Sequence, residues 1–277
     1  MKDLEGKVAV ITGGGSGIGR GIALAVADAG MSVVIADIES DAAEAVAEEV
    51  RGRGVDGVAA VTDVSVLGSV QELAESVYAR FGAAHLLCNN AGVVVMGTID
   101  TMTSADWKWV LSVNLDGVVN GLQAFLPRMR DQTGQKHIVN TASAAGLYPQ
   151  AGMGVYSASK YAIVSISEVL RDEAAGYGLG VSVLCPGVVR TNISNAHRSR
   201  PAELGGPVTP QWLTEMESSR DKRLEIGIDP LEVGQLVRQA VLDDELYILP
   251  SPETRVDVEA RFQEILAAFD RAAPPKG

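Results

Sequence analysis

The segment Val8-Ala9-Val10-Ile11-Thr12-Gly13-Gly14-Gly15-Ser16-Gly17-Ile18-Gly19 joins a short apolar stretch directly to a cluster of glycines. Glycines let a chain turn tightly and approach a phosphate, and the unpaired N–H groups at a helix start attract negative charge. A bare glycine cluster could be a flexible turn. Here an apolar strand precedes it and a helical pattern follows it (Ile22, Leu24, Ala25, Val26 and Ala29), which is the context of a dinucleotide-binding unit.

A second apolar stretch, Ser32 to Ala36, ends at Asp37, eighteen positions after Gly19. An acidic residue about twenty positions beyond the glycines accepts hydrogen bonds from the ribose hydroxyls of a dinucleotide. Asp37 would also repel a 2′-phosphate, and the next residues, Ile38 and Glu39, supply no cation to neutralise one. The pattern therefore favours NAD over NADP, although a strand end is also an ordinary place for a capping or loop aspartate.

Tyr156 and Lys160 are four positions apart, so on a helix their side chains lie on one face. A tyrosine with a pKa of about 10 is a poor acid near neutrality, but a fixed cation nearby favours the phenolate and lowers that pKa. The pair is thus a candidate proton-transfer device. Its alternative is an ordinary surface tyrosine and lysine.

Taken together, these segments resemble those of the classical short-chain dehydrogenases/reductases, in order and over most of the chain. Further matches are Asp63-Val64 beside the adenine ring, Asn89-Asn90-Ala91-Gly92 after the fourth strand, and a catalytic tetrad of Asn114, Ser143, Tyr156 and Lys160. The cofactor-binding residues that the resemblance implies are Gly13, Ser16, Gly17, Ile18, Gly19, Asp37, Asp63, Val64, Asn90, Tyr156, Lys160, Pro186, Gly187, Val189 and Thr191.

The resemblance also implies roles for the tetrad in hydride transfer between a nicotinamide and a carbinol or carbonyl carbon. Tyr156 exchanges the proton, Lys160 holds the nicotinamide ribose and lowers the tyrosine pKa, and Ser143 hydrogen-bonds the substrate oxygen. Asn114 orients a water that links Lys160 to solvent. The residues alone leave other interpretations open: Ser143 could be a small residue after a strand, and Asn114 a polar residue in a core helix, where it would need partners.

Strands and helices alternate along the sequence, and the strands are near-continuous apolar runs, which is typical of a parallel sheet covered on both faces. We expect one doubly wound α/β domain of Rossmann type over residues 1–277, with ligands beyond the carboxyl ends of the strands and a frayed tail from Ala272 to Gly277. The predicted strands are Val8–Ile11, Val33–Ala36, Val58–Val61, Leu86–Cys88, Ile138–Thr141 and Val181–Cys185.

The net charge of −12 over 277 residues argues against a nucleic-acid partner, which requires a clustered basic surface. The sequence shows no secretory leader and no run of eighteen apolar residues, so we expect a cytoplasmic protein without a membrane span. Cys88 and Cys185 are predicted to be reduced core thiols. His85, His137 and His197 are scattered, so no metal site is expected.

The segments after Thr191 set substrate choice in this fold, and here they depart from the commonest family pattern, since Leu246 to Glu253 replaces a glycine-rich ending. They are similar to bacterial Cα-dehydrogenases that oxidise benzylic alcohols of lignin-type aryl ether dimers. We therefore expect a small apolar alcohol or ketone. The predicted pocket residues are Val94, Val95, Met96, Ala145, Leu147, Met153, Ile193, Trp212 and Met216, although Trp212 and Met216 could equally be packing residues.

Two rival functions are an NADPH-dependent ketone reductase, which Asp37 opposes, and a non-catalytic cofactor-sensing protein, which would usually lack the tyrosine or lysine. Residues 195–226 combine structure-breaking prolines and glycines with large apolar side chains, so we expect a mobile substrate lid or, alternatively, a permanently packed insertion. A homodimer or homotetramer is also expected, formed by the helix before Pro127 and by the apolar face of the helix from Tyr156 to Tyr177 (Ala162, Ile163, Ile166, Val169 and Leu170).

Overall fold

The computed structural model describes residues 1–207 and 227–272. Its centre is a parallel sheet of seven strands in the order β3-β2-β1-β4-β5-β6-β7. Six strands confirm the sequence prediction to within two residues at either end, and the seventh, a two-residue strand beside β6, was not expected. The strands are β1 (Val8–Thr12), β2 (Ser32–Asp37), β3 (Gly57–Val61), β4 (Leu86–Asn89), β5 (Lys136–Thr141), β6 (Leu179–Leu184) and β7 (Tyr247–Ile248).

Helices cover both faces of this sheet, as the continuous apolar strands require. One face packs against α1, α2 and α7, and the other against α3, α5 and α6. The fold is therefore the doubly wound Rossmann type that the sequence predicted. The helices are α1 (Gly17–Ala27), α2 (Ser40–Arg51), α3 (Leu67–Phe81), α4 (Ser104–Leu111), α5 (Gly117–Asp131), α6 (Gly154–Ala174), α7 (Pro230–Asp243) and α8 (Arg255–Ala272), with a π-helical turn at Ser112–Asp116.

The strand order reverses between β1 and β4, so the loops that leave these two strands diverge and open a crevice. Hydrogen bonds hold the two strand ends together at this point. The Thr12 hydroxyl accepts from the Asn90 backbone N–H at 2.9 Å, and the Asn90 amide donates back to the Thr12 carbonyl at 3.1 Å. The glycine loop is thereby fixed to the end of β4.

Two glycines let α1 and α7 pack with their backbones in contact. A Cβ placed on Gly21 would lie 1.9 Å from the Pro230 carbonyl oxygen, and one on Gly234 would lie 2.1 Å from the Gly21 carbonyl oxygen. Any side chain at either position would force the helices apart. This contact holds the start of α7 against α1, the helix that follows the glycine loop.

The α6 face that was predicted to form a subunit interface is only partly available. Ile163 and Leu170 are buried in the chain's own core, so their assignment to an interface is wrong. Val169 is 53 % exposed, and Ala162 and Ile166 are half-buried on the same outer face. Across residues 1–207 and 227–272, no helix is both long and apolar enough to cross a membrane.

Candidate active site

A cleft of about 930 Å³ lies at the carboxyl ends of the strands, within the size range of sites for small ligands. It brings together side chains from the loops that follow β1 to β6, which are far apart in sequence. Two residues of the predicted site, Gly19 and Asn114, lie behind its wall rather than on it. The predicted residues that line it are Gly13, Ser16, Gly17, Ile18, Asp37, Asp63, Val64, Asn90, Ser143, Tyr156, Lys160, Pro186, Gly187, Val189 and Thr191.

The glycine loop forms the floor of this cleft at the start of α1. Gly13 and Gly17 have φ values of +61° and +51°, which side chains other than glycine rarely adopt. A Cβ on Gly19 would lie 2.1 Å from the Gly13 carbonyl oxygen, so Gly19 serves the packing of the loop. Within residues 1–207 and 227–272, no side chain caps the first turn of α1, so its N–H groups are available to an anion.

One end of the cleft carries Asp37, at the end of β2. Its carboxylate accepts hydrogen bonds from the Gly15 N–H at 2.9 Å and the Glu39 N–H at 3.0 Å, which fix its orientation. A carboxylate has about four lone-pair sites, so two remain for hydroxyl donors. Nearby, the Asn120 amide donates to the Val64 carbonyl at 2.8 Å and holds the loop after β3 in place.

The other end carries Ser143, Tyr156 and Lys160. Tyr156 and Lys160 are on adjacent turns of α6, and the Lys160 ammonium is 5.5 Å from the centre of the Tyr156 ring. The same ammonium donates to the Thr141 carbonyl at 2.9 Å, at the end of β5. Ser143 follows β5 directly, and its hydroxyl accepts from the Ala145 N–H at 3.2 Å. The sequence prediction that these side chains share one site therefore agrees with the geometry.

Burial controls the titration of this cluster. It raises the pKa of the Tyr156 phenol, while the neighbouring Ser143 hydroxyl works in the opposite direction. It also lowers the pKa of Lys160 to about 8, because the ammonium is removed from water. The expected lowering of the tyrosine pKa by Lys160 is therefore not found in the protein alone, where desolvation is the largest influence on that pKa.

Asn114 is fully buried in the π-helical turn and has every polar atom of its side chain paired. Its carbonyl oxygen accepts from the Val93 N–H at 2.8 Å, and its amide donates to the Val93 carbonyl at 3.0 Å and to Ser159 Oγ at 3.1 Å. The side chain thus ties the loop after β4 to α6, one residue before Lys160. These bonds supply the partners that a buried asparagine needs, and the role of Asn114 in orienting a water stays a prediction.

The apolar wall of the cleft is close to the predicted one. Val94, Met96, Ala145, Met153 and Ile193 line it. Val95 and Leu147 do not, since Val95 packs beneath α4 against Trp109 and Leu147 packs beside Val164 on α6. Trp212 and Met216 lie outside the described residues.

The described part of the predicted lid, residues 195–207, packs over the cleft. Arg200 donates to Asp106 of α4 at 2.6 Å and lies 5.2 Å from the Trp109 ring, while Ala196 is buried. Arg198 reaches Glu39 after β2, and both residues line the cleft. Sequence reasoning missed this pair because no local pattern relates the two residues. Residues 208–226 lie outside the described part, and the mobility of the lid stays a prediction.

Neither cysteine has the character of a nucleophile, because burial raises the thiol pKa of both, that of Cys185 to about 12. Within residues 1–207 and 227–272, no three His, Cys, Asp or Glu side chains are grouped closely enough to hold a metal ion.

Comparison with known proteins identifies the family and the fold. The family model described as short chain dehydrogenase matches residues 7–202. The chain belongs to this family. The matched residues include the glycine loop, Asp37 and the cluster of Ser143, Tyr156 and Lys160.

Individual relatives match over nearly the whole chain. A C alpha-dehydrogenase from Sphingobium sp. strain SYK-6 is 38 % identical over 277 residues, covering 99 % of this chain and 89 % of its own. A short chain dehydrogenase/reductase from Burkholderia phymatum, solved in complex with NAD, has a TM-score of 0.91 and 37 % identity, covering 100 % of this chain and 99 % of its own. The apo form of LigO from Sphingobium sp. strain SYK-6 has a TM-score of 0.83 and 34 % identity over 99 % of this chain and 93 % of its own. The protein is thus an oxidoreductase that acts on CH–OH groups.

Proposed function

We propose that this protein interconverts a hydrophobic secondary alcohol and its ketone, with NAD as the hydride carrier and Tyr156 as the general acid and base. One observation carries the proposal: Ser143, Tyr156 and Lys160 meet at one end of a cleft whose other end holds Asp37, with the glycine loop between them. Proton-transfer groups and a dinucleotide site therefore share one continuous space.

The residues present fit a dinucleotide. The uncapped start of α1 suits the pyrophosphate, and the oriented Asp37 carboxylate suits a ribose with free hydroxyls. Pro186, Gly187, Val189 and Thr191 would hold the nicotinamide end. The relative from Burkholderia phymatum, solved with NAD, supports this choice. When bound, the nicotinamide supplies the acceptor or donor of a hydride.

The chain's own residues supply the proton chemistry. As the phenolate, Tyr156 takes the proton from a substrate hydroxyl; as the phenol, it returns a proton to the ketone oxygen. The Ser143 hydroxyl donates a hydrogen bond to that same oxygen as charge develops on it. Lys160 is a cation below about pH 8, so its charge favours the phenolate during the transfer. Asn114 acts through its bonds to Val93 and Ser159, which hold the loop opposite Lys160 in place.

The substrate class follows from the walls beside Tyr156. Val94, Met96, Ala145 and Met153 offer apolar surface and two adaptable methionine side chains, which suits a bulky, uncharged substrate body. Similarity to a C alpha-dehydrogenase supports an aryl substituent on the carbinol carbon. We therefore expect aryl secondary alcohols to be preferred over sugars and small primary alcohols.

A screen for NADH formation tests the proposal. Purified protein is incubated with NAD and, in separate reactions, with 1-phenylethanol, an aryl ether dimer bearing a benzylic hydroxyl, cyclohexanol, glucose or ethanol, and absorbance of NADH is followed. Turnover of the aryl or alicyclic secondary alcohols above that of glucose and ethanol is the expected result. Turnover confined to glucose or ethanol, or no turnover with any alcohol together with no reduction of the matching ketones by NADH, would refute it.

A further inference from the structure

Arg198 and Glu39 form a bidentate ion pair across the mouth of the cleft. Arg198 Nε donates to Glu39 Oε1 at 3.0 Å, and Nη2 donates to Oε2 at 2.7 Å. A third donor, Nη1, binds the Asn195 carbonyl at 2.9 Å and fixes the guanidinium on its own segment. The pair joins the loop after β2 to the segment after Thr191. Glu39 and Arg198 are 159 positions apart in sequence.

This pair lies at the ribose end of the cleft. Glu39 follows Asp37 by two residues, and its N–H donates to the Asp37 carboxylate at 3.0 Å. Hydrogen bonding to Glu39 raises the pKa of Arg198, and the charge of Asp37 adds to that effect, so the guanidinium lies within electrostatic reach of both carboxylates. The end of the cleft beside Asp37, where a ribose 2′ position would lie, therefore holds a cation, Arg198. The residues next to Asp37 in sequence provide none.

We propose that Arg198 determines the discrimination between NAD and NADP, with Glu39 engaging its guanidinium and withholding it from a 2′-phosphate. A planar guanidinium binds carboxylate and phosphate with the same two-pronged geometry, so Glu39 and a 2′-phosphate compete for the same donors. With Glu39 in place, Asp37, Glu39 and Arg198 together carry a net charge of −1, which disfavours binding of the dianionic 2′-phosphate. This inference rests on the proposed use of NAD and extends it to a residue outside the family motif.

The two side chains can be changed without unfolding the protein. They are 37 % and 40 % exposed, and ion pairs at that exposure contribute only about 0–1 kcal/mol to stability. An equivalent pair elsewhere provides a matched control. Arg20 on α1 binds Glu49 on α2 through Nε at 2.9 Å and Nη2 at 2.5 Å, with exposures of 43 % and 38 %, and neither residue lines the cleft.

The test measures binding of NADH and NADPH by isothermal titration calorimetry, so it does not depend on a substrate. Wild type, Glu39→Gln, the double variant Glu39→Gln with Arg198→Met, and the control Glu49→Gln are compared. Glutamine keeps the shape of glutamate and removes its charge. We expect Glu39→Gln to shift the ratio of NADPH to NADH affinity towards NADPH by roughly tenfold or more, the scale of one freed charge-assisted contact. The double variant should lose that gain, and Glu49→Gln should leave the ratio at the wild-type value.

Each contrary result has a defined meaning. An unchanged ratio in Glu39→Gln overturns the inference while leaving the preference for NAD intact. A gain that persists in the double variant also overturns it, because the effect would then come from the loss of the Glu39 charge rather than from Arg198. Wild type that binds NADPH at least as tightly as NADH contradicts the proposed cofactor and this inference together.

Discussion

The buried ammonium of Lys160 makes the stability of this protein depend on pH in a way that one substitution can isolate. The side chain is 2 % exposed, and among the described residues its ammonium has one hydrogen-bond acceptor, the Thr141 carbonyl. Its pKa falls from the ordinary 10.5 to about 8 in the folded protein. Lys160→Met keeps an unbranched side chain, one heavy atom shorter, and removes the titrating group, so the two proteins differ in this one proton equilibrium.

The direction in which stability changes with pH depends on whether the folded or the unfolded state holds the Lys160 proton. Between about pH 8 and 10.5 the unfolded chain keeps the Lys160 proton and the folded chain releases it, so the free energy of unfolding of wild type rises with pH. The difference between the two pKa values corresponds to ~3 kcal/mol. Integrated from pH 7 to 9.5, wild type should gain ~2 kcal/mol relative to Lys160→Met. Burial raises the pKa of Tyr156 and of Cys185, so neither neighbour titrates in the folded protein within this window.

Urea unfolding followed by circular dichroism at pH 7.0, 8.0, 9.0 and 9.5, at one protein concentration, gives the required free energies. Only the difference between wild type and Lys160→Met is compared, because all groups outside the site titrate alike in both. A difference that grows with pH by ~2 kcal/mol is the expected result. If the two curves run parallel, or if wild type loses stability relative to the variant as pH rises, the ammonium is not desolvated and the reasoning is wrong.

Three further predictions concern chemistry, packing and assembly. Tyr156→Phe should bind NADH as wild type does in calorimetry yet lose at least ~100-fold in kcat, the usual contribution of a general acid or base; activity within a few-fold of wild type would contradict the role. In urea titrations, Gly21→Ala should lower the free energy of unfolding by ~2 kcal/mol or more, because its Cβ would overlap the Pro230 carbonyl. The control Gly68→Ala, in open space at the start of α3, should change that free energy by less than ~1 kcal/mol. Equal losses in the two variants would show that α1 and α7 separate freely. Light scattering at micromolar concentration should give at least a dimer, and Val169→Asp, on the exposed face of α6, should lower that mass; a monomeric wild type would refute the proposed assembly.

The sequence determined the parts of the site that depend on neighbours along the chain. The glycine loop needs only a strand before it and a helix after it, and Asp37 needs only to end the next strand. Tyr156 and Lys160 need only to be four positions apart on a helix. Six of the strands were also predictable from their continuous apolar runs, although β3 is a partly buried edge strand. The strand β7 has only two residues, and its Tyr247 is 41 % exposed, so it is too short for such a run to identify it.

The tertiary structure decided the features that depend on long-range contacts. Only the fold brings Arg198 to Glu39, turns Val95 and Leu147 away from the cleft, and directs Ile163 and Leu170 of α6 into the core. It also reversed the expected direction of the Tyr156 pKa. Spacing places a cation next to a phenol, but the pKa depends on how much water the surrounding segments exclude, and that exclusion comes from residues distant in sequence.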